Sequence, residues 1–162
     1  MDRNGKKCAS VLCGTPLGPV RVTEDRDGIC SLRFVDGEAP GPEPPEGRYL
    51  SDAARQLQEY FSGARRAFDL PLSLQGGTPC QLRVWEALRR IPPGQTRSYQ
   101  EIARAVGSER AARAVGMACN RNPIWILIPC HRVVGKNGGL TGYAGGLDRK
   151  RRLLELERSF PD

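Results

Sequence analysis

The chain has 162 residues, 39% hydrophobic and 27% charged, with 25 Lys+Arg against 18 Asp+Glu and a net charge of +7. That length suits one good core or two small ones. The first 20 residues hold no continuous apolar stretch and no run approaches the roughly 18 residues of a membrane span, so a soluble cytoplasmic protein with no membrane partner is expected.

Six cysteines (Cys8, Cys13, Cys30, Cys80, Cys119, Cys130) and one histidine make a poor metal set. There is no Cys-x-x-Cys, so a zinc site at Cys8, Cys13 and Cys30 is not favoured, and no metal is expected. The charge is unevenly spread. Residues 1–76 carry 10 basic and 11 acidic side chains, and residues 77–162 carry 15 and 7. Such asymmetry fits a polyanion bound by the second half, or a merely solvated basic face.

In chain order, Lys7–Cys13, Pro19–Thr23 and Ile29–Val35 predict three strands joined by short turns, a meander. Residues 36–48 are rich in Gly, Pro and Glu and predict a loop. Asp52–Phe61 has the apolar spacing of a helix, and Phe68–Leu74 could be a last short strand. Gln75-Gly76-Gly77 marks a boundary between an α/β unit, 1–76, and a mostly helical one, 77–162.

Thr78-Pro79-Cys80-Gln81 is a capping box with proline at the first helical position. Cys80, Val84, Ala87, Leu88 and Ile91 form the stripe of the helix that follows. Ser98-Tyr99-Gln100-Glu101 is a second capping box, opening a helix ended by Gly107. Ser108 is expected to cap a third helix, Glu109 to about Cys119. A short helix, a glycine turn and a second helix give a helix-turn-helix. The second helix carries Arg110 and Arg113 among alanines and glycines, thin enough to approach a groove closely; two packed helices with no DNA role would read the same way.

Asn120-Arg121-Asn122-Pro123 is a turn, and Ile124–Ile128 reads as a buried strand or extended segment stopped by Pro129. Cys130 and His131, the sole histidine, follow directly. A thiol beside an imidazole is a nucleophile with its base, or a buried cysteine next to an unrelated histidine. An orienting acid for the imidazole is sought in the last helix, Asp148–Arg158. Glu157 lies three and four residues after Leu154 and Leu153, on or near the apolar face, where a carboxylate without a partner is costly. The glycine-rich stretches 135–139 and 142–146 lack phosphate-loop spacing and suggest a pocket wall or two tight turns.

Pro129-Cys130-His131-Arg132-Val133, preceded by Asn122-Pro123 and Ile126–Ile128, resembles the signature of the O6-alkylguanine-DNA alkyltransferases. Similarity extends through Arg97–Ala103, Ala111–Gly116 and Tyr143–Leu147, close over 78–158 and loose before it. The resemblance implies a ribonuclease-H-like α/β roll with a small antiparallel sheet, followed by a mostly helical domain containing the helix-turn-helix. It implies direct reversal of DNA damage with no external methyl donor and no cofactor. An alkyl group would move from O6 of guanine, and from O4 of thymine, to Cys130 and stay there, inactivating the protein.

The same resemblance implies roles. His131 would act as base through water, oriented by Glu157. Asn122 would be the hinge asparagine. Tyr99 would turn the 3′ phosphate and protonate guanine N3. Arg113 would enter the stack in place of the flipped nucleotide, with Arg110, Ser98, Ala111, Ala112 and Gly116 also against DNA, in the minor groove. The carbonyls of Cys130 and Val133, with Lys136, Tyr143, Ala144, Gly145 and Trp125, would surround the base; Lys136 and Ala144 stand where some relatives carry serine. The partner would be double-stranded DNA bound by a monomer, with cooperative assembly along it as an option. The rival readings are a non-repairing binder of alkylated DNA, a helix-turn-helix regulator and a thiol hydrolase.

Overall fold

A computed structural model describes Gly5, residues 7–42 and residues 44–161. It divides into two compact units, Met1–Gln75 and Gly76–Asp162.

The first unit is built on an antiparallel meander of β1 (Ala9–Cys13), β2 (Val20–Asp25) and β3 (Gly28–Phe34), in the order β1-β2-β3. Alternation sets its faces: Val20 and Val22 of β2 and Leu32 and Phe34 of β3 are buried, while Arg21 and Arg33 are not. Helix α1 (Leu50–Ser62) contributes Leu50, Ala53, Leu57 and Tyr60 to the same core. Its buried Gln56 is satisfied by the backbone of Asp69, donating to the carbonyl at 3.0 Å and accepting from the amide at 2.8 Å.

No strand forms at Phe68–Leu74. Only an isolated bridge joins Leu72 to Ile29, with the Ile29 amide donating to the Pro71 carbonyl. Pro71 has no N–H to extend a ladder. The approach is close enough to require Gly28, since a Cβ there would lie 2.3 Å from the Pro71 oxygen.

The second unit begins with α2 (Pro79–Arg89), whose Thr78–Gln81 capping box is formed in both directions. Val84, Trp85 and Leu88 are its buried face, and the Trp85 indole N–H donates to the Ala118 carbonyl at 2.9 Å. Strand β4 (Arg97–Ser98) pairs in parallel with β5 (Val133–Val134), so the capping residue of the next helix lies beside the segment that follows Cys130.

Helix α3 (Tyr99–Ala105) has the second capping box, Ser98 with Glu101. The third expected cap is absent. Ser108 makes no side-chain cap bond, Glu109–Ala111 is a single 3-10 turn, and α4 runs Ala112–Asn120. The residue three after Ser108 is Ala111, which has no side chain to close a box.

Ile124–Ile128 is not a strand. Ile128 N–H returns to the Ile124 carbonyl at 2.9 Å, and Ile126 holds φ of 74°. The Asn122 side chain curls the backbone by accepting from the Ile124 amide at 2.9 Å. A 3-10 turn, Cys130–Arg132, leads into β5, and α5 (Leu147–Arg158) closes the unit with Lys150, Leu153, Leu154 and Glu157 buried.

Candidate active site

Asn122 organises the reactive segment. Its Nδ2 donates to the Ile128 carbonyl at 2.8 Å and to Cys130 Sγ at 3.2 Å. Its main-chain carbonyl accepts the Trp125 indole N–H at 3.0 Å. One buried amide thus ties the turn to the thiol. Burial pushes the Cys130 thiol up, while the Asn122 donor and the Lys150 ammonium pull the other way.

Behind the thiol, α5 supplies an ion cluster. His131, fully buried, lies 2.9 Å through Nε2 from Glu157 Oε2. Arg132 grips the same carboxylate with Nε at 2.9 Å and a terminal nitrogen at 2.6 Å, and donates its other arm to the Ile91 carbonyl at the end of α2. Burial alone would raise the Glu157 carboxyl; His131 and Arg132 override it and hold the group well below the usual carboxylate range. An ionised Glu157 only accepts, so the imidazole presents Nε2–H to it. Nδ1 of a neutral ring then carries a lone pair.

Cys130 forms part of a cavity of about 190 Å³ with Tyr99, Gly116, Cys119, Asn120 and Thr141–Ala144. The Tyr99 hydroxyl donates to the Thr141 carbonyl at 3.2 Å. Lys150, fully buried, donates to the Thr141 and Gly142 carbonyls at 2.7 and 3.3 Å and lies 5.9 Å from the Tyr99 ring centroid. Burial lowers its ammonium pKa and pushes the neighbouring Cys119 thiol up to about 12. Among the described residues, the buried side-chain atoms without a hydrogen-bond partner are His131 Nδ1 and Tyr143 Oη, both in this region. A larger groove of about 630 Å³ along α2 and α3 is lined by Arg83, Ile91 and Ile102 among others and contains no thiol or imidazole.

The expected residues therefore separate. Asn122 and Cys130 are hydrogen-bonded to each other, His131 and Glu157 form a second bonded pair, and Tyr99, Gly116, Tyr143 and Ala144 share the cavity with the thiol. Arg113, Arg110 and Lys136 are exposed, Ser98, Ala111, Ala112 and Gly145 partly so. Val133, Lys136, Gly145 and Trp125 do not line the cavity; Val133 is held in β5, and Trp125 stands behind Tyr143 at 6.0 Å between ring centroids. Arg132, Lys150 and Cys119 were not anticipated as site residues.

Two family models match this chain. Residues 11–74 match the ribonuclease-like domain of 6-O-methylguanine DNA methyltransferase, and residues 79–159 match its DNA-binding domain. The constitutive methylated-DNA–protein-cysteine methyltransferase of Bacillus subtilis is 51% identical over 152 residues, covering 89% of this chain and 92% of that one. This chain belongs to the methylated-DNA–protein-cysteine methyltransferase family. Among solved structures of the family, the O6-methylguanine methyltransferase of Mycobacterium tuberculosis superposes with a TM-score of 0.84 at 44% identity, over 96% of both chains. The M. tuberculosis OGT in complex with DNA gives 0.82 at 47% identity, over 91% of both. Family membership thus accounts for the ribonuclease-like and DNA-binding parts together. In the described residues, no helix is long and apolar enough to cross a membrane.

Proposed function

We propose that Cys130 takes an alkyl group from O6 of guanine, or O4 of thymine, in duplex DNA and keeps it. The observation that carries this reading is the thiol itself, set in a small cavity with an amide donor on its sulfur and the His131–Glu157–Arg132 cluster beside it. The sulfur–carbon bond forms as the carbon–oxygen bond breaks, leaving a thioether and unmodified guanine. Asn122 steadies the thiolate as charge builds on sulfur. The thiol proton passes through one water to His131 Nδ1, the buried nitrogen that lacks a protein partner. The Tyr99 hydroxyl turns from Thr141 toward the departing base and donates to it.

A thioether is a poor leaving group, so one molecule repairs one lesion. The target base must leave the stack, at a cost of a few kcal/mol. The thin α4 meets the minor groove, with Arg113 filling the gap and Arg110 on phosphate. A monomer suffices, because one chain supplies the thiol, the imidazole and the tyrosine; the cytoplasm is the expected location.

Incubation with a duplex bearing radiolabelled O6-methylguanine should leave label on the protein in a one-to-one ratio. Cys130→Ser should bind the duplex and take up none. Label on that variant would sink the nucleophile assignment.

A further inference from the structure

Three large apolar side chains are exposed among the described residues, Leu82, Met117 and Leu147, and Met117 is the most open, at 54%. Its position on α4 is specific. Val115 and Ala118 face the core, while Gly116, Cys119 and Asn120 border the Cys130 cavity. Arg113, Met117 and Asn120 follow each other at i, i+4 and i+7, so they share the outward face beside that cavity. Every other residue from 111 to 118 is Ala, Gly or Val. Within 111–118, Arg113 and Met117 are therefore the long side chains that stand above an otherwise low surface.

A minor groove about 6 Å wide accepts such a surface only where the helix is thin. If α4 comes close enough for Arg113 to enter the stack, Met117 has no room to lie flat against the groove floor. Four residues advance about 6 Å along a helix. Base pairs are spaced by about 3.4 Å, so that advance is close to two base steps. An unbranched thioether is also a side chain that proteins insert as an apolar wedge from this groove.

We propose that Met117 is a second wedge, loosening the stack about two steps from the flipped nucleotide and so positioning DNA for Arg113. This rests on the reading of α4 as the helix that meets DNA. The wedge distorts the duplex at two points rather than one, which spreads the bend and widens the groove for the helix. It acts on presentation of the lesion and not on the chemistry at sulfur.

The test places 2-aminopurine at successive positions around an O6-methylguanine and reads its fluorescence with Cys130→Ser, which holds the complex before transfer. Enhancement is expected next to the lesion and again about two steps away, and adding Met117→Ala should abolish only the second. With the thiol intact, Met117→Ala should slow transfer from duplex about three- to tenfold, the scale of one lost apolar contact. Transfer from free O6-benzylguanine should be unchanged, and Met117→Leu should restore the duplex rate. No second enhancement, or one that survives Met117→Ala, overturns the wedge while leaving repair intact. Loss of transfer from the free base as well would make Met117 a structural residue and overturn it too. If the unaltered protein takes label from free base but shows no enhancement anywhere on the duplex, the reading of α4 fails, and the wedge with it.

Discussion

Glu157 carries more of the site than any other carboxylate. Both of its oxygens are engaged, by Arg132 and His131, with its side chain fully buried. Removing its charge strands a buried guanidinium, so Glu157→Gln should cost about 3–5 kcal/mol in urea unfolding at neutral pH. The sign of the pH dependence follows from the depressed folded value. Stability from this group is fully present above the unfolded carboxylate value of about 4.3 and is lost as pH falls through the lower folded value. The gap between wild type and Glu157→Gln should therefore stay flat from pH 7 to about 5 and narrow in acid below that. A gap that closes near neutrality would show that the carboxylate is not held down by its neighbours.

At the scale of elements, the two boxes at Thr78 and Ser98 were legible because each writes its own answer: a hydroxyl, then an amide or carboxylate three residues on. Ser108 shows the limit of that signal, since a lone serine before a polar run does not cap. The segment 124–128 was illegible for a different reason. Its apolar residues are buried whichever way the backbone turns, so pattern alone cannot separate a strand from a tight loop. What decides is the Asn122 side chain bonding forward to Ile124.

A backbone at φ of 74° penalises any side chain with a Cβ, and a branched one most. Ile126→Gly should therefore be no less stable than Ile126→Ala in denaturant melts, against the usual preference for alanine of about 0.5–1 kcal/mol. The usual order would contradict the turn. The α5 stripe was half read. Glu157 was picked from its place beside Leu153 and Leu154, but Lys150 begins the same i, i+3, i+4, i+7 series and is equally buried. Arg132 could have been found by asking what neutralises a carboxylate on an apolar face.

For the whole molecule, charge asymmetry and family membership agree on where DNA meets the chain: the basic half coincides with the part matched to a DNA-binding domain, residues 79–159. Affinity for duplex should fall linearly on a log–log plot against salt as phosphate contacts release counterions. Arg110→Ala should lower affinity evenly across sequences and reduce that slope by about one. An unchanged slope would remove Arg110 from the phosphate contacts. Charge could say that a polyanion was involved but not which groove, because both grooves share one backbone.

The imidazole of His131 is pinned on one edge by a carboxylate that is itself clamped by a guanidinium. On the proposed chemistry the ring stays in place and the thiol hydrogen reaches it through one water, with two hydrogens moving together. In mixtures of light and heavy water, the rate of thiol loss should bow below the straight line joining the pure solvents. A straight line would mean that a single hydrogen moves, directly between the two side chains.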